Sequence, residues 1–384
     1  MKEPINAKAR HYFITGFPNF TAVKLVQMLI QSDPLAFAHI LVMEKFLPFA
    51  ARLRERLPKP AQRRVELVAG DVTHLDLGMS GEELTRMTRK VTHILHLAAI
   101  WEFGVPRRFC EEVNVKGARF ILDFARDCKK LERFAHFSTI FVSGRRRGVI
   151  REDEFDLGQE FKNPWEQTRF TSEKLVRLEM EKGLPATILR LGLIVGDSQT
   201  GEILKFDGPY LFLKLMLTTD LNLPLFLPGQ CEGPSNLVPV DYAVSAALHI
   251  LAQAESLGNT YHVTDPYPLM TRTVFEGVCA YLGRRPPTFG LPRSLYKAVY
   301  LIPQMQRFSG IPGEMFEYFN HKAVHNCSNA LAALKGAGIV CPRFETYFPI
   351  SIEYARDLLK QRIEKQEEEE TIDPFDYGQK ERHS

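Results

Sequence analysis

The sequence lacks several features that would place it in a class of protein at once. No apolar run reaches about 18 uncharged residues, and residues 1–10 are polar, so neither a membrane span nor a signal peptide is predicted. The six cysteines are scattered without a CxxC pair or a cysteine/histidine metal spacing, which favours reduced, mostly buried thiols. A net charge of +3 excludes a strongly basic nucleic-acid-binding protein. We therefore expect a globular, cytoplasmic protein that binds no nucleic acid and no metal.

What the sequence contains is a repeated alternation of short apolar segments with amphipathic helical segments. Six apolar segments are predicted to be strands, at residues 11–16, 38–44, 64–71, 91–99, 132–139 and 186–196. Near-continuous apolar strands that alternate with helices form a parallel sheet that is covered on both faces. The predicted fold class is therefore α/β, with a doubly wound Rossmann-type parallel sheet and a smaller C-terminal lobe.

The change in composition along the chain predicts where these parts begin and end. The Rossmann domain is assigned to residues 10–196, and residues 237–265 are expected to return to it. Residues 197–359, which start with loops rich in proline and glycine, form the predicted C-terminal substrate lobe. Residues 360–384 are highly charged and poor in apolar residues, which is typical of a disordered tail.

The first turn from strand to helix has the sequence TGFPNFTA, residues 15–22. In open α/β sheets ligands bind where strands end, and a helix N-terminus offers free N–H groups to a pyrophosphate. Gly16 suits the tight turn, but Asn19 and Ala22 stand where two more glycines are expected. Ala22 needs only close packing, and asparagine adopts positive φ more readily than other non-glycine residues. Alone, the turn is compatible with a cofactor site or with an ordinary turn.

Five further motifs occur in order along the chain. They are GDVTHLDLGMS (70–80), HLAAIWEF (96–103), NVKGARFILDFA (114–125), FSTIFVSG (137–144) and LVPVDY (237–242). With these motifs the chain resembles the extended short-chain dehydrogenase/reductase family over about residues 10–265. Residues 70–80 and the segment GLIVGDSQTGEILKFDGPY resemble the branch of thioester reductases and fatty acyl-CoA reductases. The resemblance implies an NAD(P)-dependent oxidoreductase of carbonyl or acyl, lipid-like substrates.

The resemblance also implies roles for individual residues. The implied cofactor-binding residues are Thr15, Gly16, Asn19 and Ala22 in the turn, Asp71 and Val72 beside the adenine, and Leu97, Ala98 and Ala99 along the cofactor. Thr139 is the hydroxyl that would orient a substrate carbonyl. Asp71 is also interpretable as a strand-end cap, and Asn114 as a helix cap or as a residue that holds water near the active site. His96 and His136 lie in apolar strands and are interpreted as hydrogen-bonded core histidines rather than ligands.

The segment NPWEQTRFTSEKL, residues 163–175, corresponds to the family's catalytic helix. That helix has the pattern Asn-Pro-Tyr-x-x-Ser/Thr-Lys with Glu four residues later, so Trp165 replaces the tyrosine and Arg169 replaces the lysine. A rival frame from Phe170 to Lys174 keeps the lysine but turns the pair by about 140° around the helix, away from the cofactor. Indole is no practical proton donor, whereas a guanidinium stays charged and can stabilise an oxyanion.

Three function classes follow from this replacement. The first is an oxidoreductase with weakened acid/base catalysis. The second is a catalytically inactive, nucleotide-dependent sensor or scaffold. The third is an interaction protein that has lost cofactor binding, for which Asn19 and Ala22 are the evidence.

The choice of cofactor and ligand is also predicted from short segments. Glu44 ends the second strand, where a carboxylate accepts both ribose hydroxyls and repels a 2′-phosphate, so NAD is favoured, while the neighbouring Lys45 leaves NADP open. Segments 206–228 and 295–308 are rich in Leu, Phe, Met and Tyr, and in this branch such segments would wall an apolar acyl-binding cleft. Ordinary lobe core and a membrane-surface or homodimer patch are the alternatives, and the oligomeric state stays open.

Overall fold

The computed structural model describes residues 8–101, 104–219, 227–286, 290–291 and 313–366. The strands are β1 (Arg10–Thr15), β2 (Ala36–Val42), β3 (Val65–Ala69), β4 (His93–His96), β5 (Arg133–Thr139), β6 (Gly148–Ile150), β7 (Ala186–Leu191), β8 (Leu193–Val195), β9 (Leu227–Pro228), β10 (Leu237–Pro239), β11 (Thr260–Val263), β12 (Gly290–Leu291) and β13 (Ala323–His325). The helices are α1 (Phe20–Ser32), α2 (Leu47–Glu55), α3 (Lys59–Gln62), α4 (Gly81–Lys90), α5 (Arg107–Cys110), α6 (Gly117–Asp127), α7 (Pro164–Glu181), α8 (Pro209–Thr218), α9 (Val240–Leu251), α10 (Thr271–Tyr281), α11 (Ser328–Leu334) and α12 (Phe344–Gln366).

Seven parallel strands form the central sheet, in the order β11-β7-β5-β4-β1-β2-β3. Side chains alternate between the two faces of each strand, so Ile14 of β1 packs under α1 and α9, while Phe13 packs on the opposite face under α4 and α6. The strand order reverses between β1 and β4, which opens a crevice at the carboxyl ends of these strands. The structure therefore confirms the doubly wound Rossmann-type α/β fold.

The predicted strand at 186–196 is in fact two strands in different sheets. β7 joins the central sheet, whereas β8 pairs with β10 in a separate two-stranded sheet. Gly192 lies between them, and a Cβ there would come within 2.6 Å of the Val238 side chain and 2.8 Å of the Asn236 carbonyl oxygen. Glycine at this position therefore allows the two segments to pack closely.

Parts of the C-terminal half of the chain lie against the Rossmann sheet. β11 joins the central sheet. Residues 323–334, which the predicted boundaries place in the C-terminal lobe, lie against the Rossmann domain instead. β13 pairs with β6, and α11 contributes Ala330 and Leu334 to the core beneath α9 and β11. α12 continues to Gln366, into the predicted tail, and residues 367–384 lie outside the described residues.

Candidate functional site

The turn after β1 is locked to the end of β4. The hydroxyl of Thr15 accepts a hydrogen bond from the Ala98 N–H (3.1 Å) and lies 2.9 Å from Nδ1 of His96. Gly16 has a φ of +88°, and a Cβ there would come within 2.6 Å of the Leu97 carbonyl carbon. Glycine is therefore required at Gly16 by backbone packing and by conformation. The Thr15 side chain is fully buried and positions β4 instead of facing a ligand.

Asn19 does not use the positive φ that asparagine tolerates, because its φ is −63°. It caps α1 instead, and its Oδ1 accepts a hydrogen bond from the Ala22 N–H (2.8 Å). Ala22 is fully buried in the core. The cap takes up one N–H that a phosphate could use, but the first N–H groups of α1, on Phe20 and Thr21, have no acceptor within the helix. The turn therefore fits the pyrophosphate of a dinucleotide.

The expected adenine side of the site lies along the ends of β2, β3 and β4. Glu44 is exposed directly after β2, where its carboxylate is open to a ribose. Oδ1 of Asp71 accepts hydrogen bonds from the backbone N–H and the hydroxyl of Thr73, both at 2.8 Å, so Asp71 closes the turn after β3. Val72 is buried against Gly117. Leu97 and Ala98 are buried and Ala99 is partly exposed at the crevice.

Thr139 ends β5 at the crevice. It is buried, and its hydroxyl oxygen accepts a long hydrogen bond (3.4 Å) from the Phe141 N–H, which leaves its own proton available to a ligand. Asn114 lies in a π-helical turn between α5 and α6 and is not a helix cap. It accepts a hydrogen bond from the Ile100 N–H (2.8 Å) and donates one to the Thr168 hydroxyl (2.9 Å), so it ties the loop after β4 to α7.

Trp165 occupies the first replaced catalytic position. It is 4% exposed and packs with Ile100, Cys110, Ile140 and Phe141 in a small apolar cluster. Its indole N–H donates a 2.7 Å hydrogen bond to the Ile100 carbonyl oxygen. The one polar hydrogen of this side chain is therefore engaged within the protein.

Arg169 occupies the second replaced position, one helical turn further along α7. It is 1% exposed, donates a hydrogen bond to the Phe137 carbonyl oxygen and stacks on Trp101, with the guanidinium carbon 4.5 Å from the ring centroid. Burial lowers the pKa of Arg169 to about 10, against the opposing effect of Glu173, so the group stays charged at neutral pH. Its Nε has no hydrogen-bond partner. A buried positive charge therefore remains near the end of β5.

The rival frame on α7 faces away from this site. Lys174 is exposed and pairs with Asp156 (2.7 Å), and Phe170 stacks on Phe155 with ring centroids 4.4 Å apart. Trp165 and Arg169 thus share the buried face of α7, and Phe170 and Lys174 do not.

The two strand histidines are buried, but the prediction that both are satisfied is wrong. Their rings stack 5.6 Å apart. His96 uses Nδ1 with Thr15 but leaves Nε2 without a partner, and neither ring nitrogen of His136 has one. Burial, reinforced by the charge of Arg169, lowers the pKa of His96 to about 3 and that of His136 well below its usual value. Both histidines are therefore neutral at physiological pH.

A buried ion pair behind the site was not predicted from the sequence. Arg190 of β7 lies 2.8 Å from Glu173, which also accepts a 2.6 Å hydrogen bond from Ser138. Burial alone would raise the pKa of Glu173, but Arg190 and Arg177 hold it well below its usual value. A charged residue within an apolar strand is the one signal in the sequence that could have identified Arg190.

Tyr318 is a second residue that sequence analysis missed. It packs edge-on against Phe141 (4.9 Å) and its hydroxyl accepts a 3.0 Å hydrogen bond from Asn163, at the start of α7. Burial and the charge of Glu166 raise its pKa well above the usual range, so it is a poor proton donor. No local motif surrounds residue 318, because its position near α7 depends on the tertiary fold.

An apolar cavity of about 150 Å³ lies in the C-terminal lobe, and Phe141 and Tyr318 are among its lining residues. Of the predicted segment 206–228, α8 contributes lining residues that include Tyr210, Leu213 and Met216. Residues 220–226 and the whole of segment 295–308 lie outside the described residues.

The six cysteines are unpaired, and five of them are buried, as predicted. In the described ranges no group of three or more His, Cys, Asp or Glu residues is arranged to hold a metal ion. Nor does the described part of the chain contain a helix with the length and apolar character needed to cross a membrane.

Two curated proteins are similar to this chain in sequence. A glycine betaine reductase of Emericella nidulans is 24% identical over 285 residues, which cover 70% of this chain and 22% of that protein. An alcohol-forming fatty acyl-CoA reductase of Simmondsia chinensis is 29% identical over 206 residues, which cover 47% of this chain and 42% of that protein. The chain thus spans less than half the length of these curated relatives.

Solved structures share the fold. The terminal R domain from the myxalamid PKS-NRPS biosynthetic pathway superposes with a TM-score of 0.76 at 25% identity and covers 93% of this chain and 92% of its own. A UDP-glucuronic acid 4-epimerase from Bacillus cereus, in complex with NAD, has a TM-score of 0.66 at 16% identity, covering 91% and 99% of the two chains, and shows the fold alone.

The family model of an NAD-binding domain described as "Male sterility protein" matches residues 14–247, more than half of the chain. The match confirms the resemblance to extended short-chain dehydrogenases and to fatty acyl-CoA and thioester reductases. The chain belongs to the male sterility protein family of NAD-binding domains.

Proposed function

We propose that this protein binds NAD at the carboxyl edge of its central sheet and an acyl-type ligand in its C-terminal lobe, and that it reduces carbonyl groups only very slowly. The proposal rests on the contacts of the side chains at the two replaced catalytic positions. The Trp165 N–H is bonded to Ile100, and Arg169 is buried against Phe137 and Trp101.

Carbonyl reduction in this family needs a hydride on carbon, which a bound nicotinamide supplies, and a proton on oxygen, which the protein must deliver. Thr139 can orient the carbonyl, and the charge of Arg169 can stabilise negative charge on the oxygen. Neither group gives up a proton at neutral pH, and the indole N–H of Trp165 is a hydrogen-bond donor that is not acidic enough to transfer its proton. A positioned acid contributes about 10²- to 10⁴-fold to rate, so turnover is slowed on that scale.

The choice of NAD rests on the end of β2. Glu44 is exposed there and lies at the strand end where a carboxylate can bond the ribose hydroxyls and repel a 2′-phosphate. Members of the same fold class bind NAD, as the Bacillus cereus epimerase does.

The choice of an acyl ligand rests on the cavity in the C-terminal lobe. Its wall is mostly aromatic and aliphatic, and one of its lining residues, Phe141, lies two residues beyond Thr139 in the chain. An acyl chain in the cavity would thus place its carbonyl group toward Thr139. A relative named as an alcohol-forming fatty acyl-CoA reductase supports this class of ligand.

A nucleotide-dependent sensor or scaffold without turnover is the second candidate. The packing of Trp165 into an apolar cluster favours it, because this side chain contributes to the core at a position where the family has a catalytic group. Loss of cofactor binding is less well supported, because Asn19 caps α1 and leaves its first two N–H groups without an acceptor in the helix.

The experiment measures binding and turnover separately. Purified protein is titrated with NADH and NADPH by nucleotide fluorescence, and oxidation of NADH at 340 nm is followed with a panel of aldehydes, ketones and acyl thioesters. We expect saturable NADH binding with turnover at least about 10²-fold below the usual enzyme range. Robust turnover would refute the loss of acid catalysis, no turnover would favour the sensor, and no nucleotide binding would favour the interaction protein.

A further inference from the structure

The cavity of the C-terminal lobe is apolar, but several polar atoms in its wall have no hydrogen-bond partner. They are Oδ1 of Asn236, Nε2 of His321, Nδ1 of His325 and Oγ of Ser351. Ser351 interacts with the Tyr210 hydroxyl, and the hydroxyls of Ser235 and Thr271 donate to the carbonyls of Leu269 and Gly233. Buried polar groups in native proteins are normally bonded, so the remaining atoms, on Asn236, His321 and His325, indicate polar partners inside the cavity.

Asn236 lines the cavity. Its Nδ2 donates to the Pro234 carbonyl oxygen (3.3 Å), and its Oδ1 is the unpartnered atom. Asn236 is 5% exposed, and its backbone has a φ of +45°, which asparagine adopts more readily than other non-glycine residues.

His325 lines the cavity next to the 3₁₀ turn that follows Thr139. Its Nε2 lies 3.3 Å from the Ser143 hydroxyl, and its Nδ1 makes no hydrogen bond of good geometry, although the Ile140 carbonyl oxygen interacts with the ring. Burial lowers the pKa of His325 well below its usual value, and His262, His321 and Arg190 lower it further. The Ile140 carbonyl oxygen, which favours the protonated ring, offsets only part of this decrease. Burial and the charges of Lys162, Arg147 and Arg145 lower the pKa of His321 to about 4. Both imidazoles are therefore neutral at pH 7.

A neutral acceptor and two neutral imidazoles suit a neutral hydrogen-bonding group rather than a charged one. Asn236 requires a donor, and each imidazole nitrogen can donate or accept according to its tautomer. A hydroxyl group both donates and accepts. A charged group would lose its hydration in an apolar cavity that holds no opposite charge on these side chains.

We propose that the acyl ligand of this protein carries a hydroxyl group along its chain and that Asn236, His321 and His325 select for that group. The inference rests on the proposed acyl-binding function and narrows its class of ligand. A plain alkyl chain would leave the three polar atoms buried and unpaired, which costs free energy, whereas a hydroxylated chain would pair at least one of them.

The test compares ligands that differ only in the hydroxyl. The full-length protein is titrated with the N-acetylcysteamine thioester of decanoic acid and with the isomers that carry one hydroxyl at successive carbons, by displacement of an apolar fluorescent dye. We expect at least one isomer to bind about tenfold more tightly than the unsubstituted thioester. Without the polar partners, each hydroxyl would weaken binding through its lost hydration.

Variants locate the selecting groups. His325→Phe, His321→Phe and Asn236→Gly, in which glycine accepts the positive φ, should each reduce the preference for the hydroxylated isomer. His249→Phe, the same change at a histidine outside the cavity, should preserve it. Thermal melting checks that each variant folds. If a variant does not fold, the preference of the native protein for the hydroxylated thioester still tests the proposal.

The outcomes separate the two proposals. If the unsubstituted thioester binds as tightly as every isomer, water satisfies the three atoms, and the hydroxyl inference is wrong while acyl binding stands. If no thioester displaces the dye, the acyl-binding function falls as well. A preference that survives all three variants would overturn the assignment of these residues.

Discussion

The double change Trp165→Tyr with Arg169→Lys should restore carbonyl reduction. In the native protein the indole N–H is bonded to Ile100 and the guanidinium does not release its proton at neutral pH. Tyrosine at position 165 supplies a transferable proton, and lysine one helical turn later supplies a compact charge that lowers the tyrosine pKa. A positioned acid contributes about 10²- to 10⁴-fold, and we expect a gain of about one to three orders of magnitude.

The expected gain is smaller than the full contribution of an acid for structural reasons. Removal of the indole deprives the buried Ile100 carbonyl of a 2.7 Å hydrogen bond, which costs about 1–3 kcal/mol. The smaller ring also leaves space within the cluster of Ile140 and Phe141, so the new hydroxyl is held less firmly. Single changes should restore little, because a tyrosine without the ammonium keeps a pKa near 10.

The assay is NADH oxidation at 340 nm on the same panel of carbonyl substrates, with NADH affinity and thermal melting measured for every variant. Phe170→Tyr is the matched control. It creates the same tyrosine-to-lysine spacing with the native Lys174, but on the exposed face of α7 where Lys174 pairs with Asp156. An equal gain in this control, or no gain in a folded double variant that binds NADH, would refute the reasoning.

Three further predictions concern the cofactor and the core. Glu44→Gln should weaken NADH binding about tenfold, because an amide cannot accept hydrogen bonds from both ribose hydroxyls as a carboxylate does; equal or tighter binding of NADPH by the native protein would contradict the preference. Glu173→Gln should lower the free energy of unfolding by about 3–5 kcal/mol in urea denaturation, because Arg190 would lose its buried partner. Since the pKa of Glu173 is held below its usual 4.5 by Arg190 and Arg177 despite burial, this stabilisation should be present above about pH 4.5 and be lost as the pH falls below it. His136→Phe should make the free energy of unfolding fall less steeply with pH below about pH 6.5, by about 1.4 kcal/mol per pH unit, because His136 stays neutral when folded but gains a proton when unfolded; an unchanged slope would show that His136 is protonated in the native state.

Several features of the fold could be predicted because local pattern and tertiary environment agree. The strand at Arg133–Thr139 carries the apolar residues Phe134, Ala135 and Phe137 and is buried at all seven residues, as a central parallel strand must be. The segment 186–196 was predicted as one strand because its apolar run is continuous. Gly192 divides it, and only the positions of Val238 and Asn236 explain why.

The candidate site also combines features that the sequence predicted with features that only the structure showed. The alignment of Asn163 and Glu173 with the family helix was enough to propose that Trp165 and Arg169 replace the catalytic pair. It could not show that the indole bonds to Ile100, 65 residues away in the chain, or that Arg169 stacks on Trp101. Side-chain partners at such separations depend on how the helices pack and leave no periodic signal in the sequence.

The sequence by itself determined the parallel α/β architecture, the family and the absence of the usual proton donor, because each depends on residue types at short spacings along the chain. Only the tertiary structure decided that Asn19 caps α1, that His136 is buried without a partner, and that unpaired polar atoms of Asn236, His321 and His325 line one cavity. The reason is physical. Burial and hydrogen-bond satisfaction are properties of a side chain's surroundings, and those surroundings are assembled from segments that lie far apart in the chain.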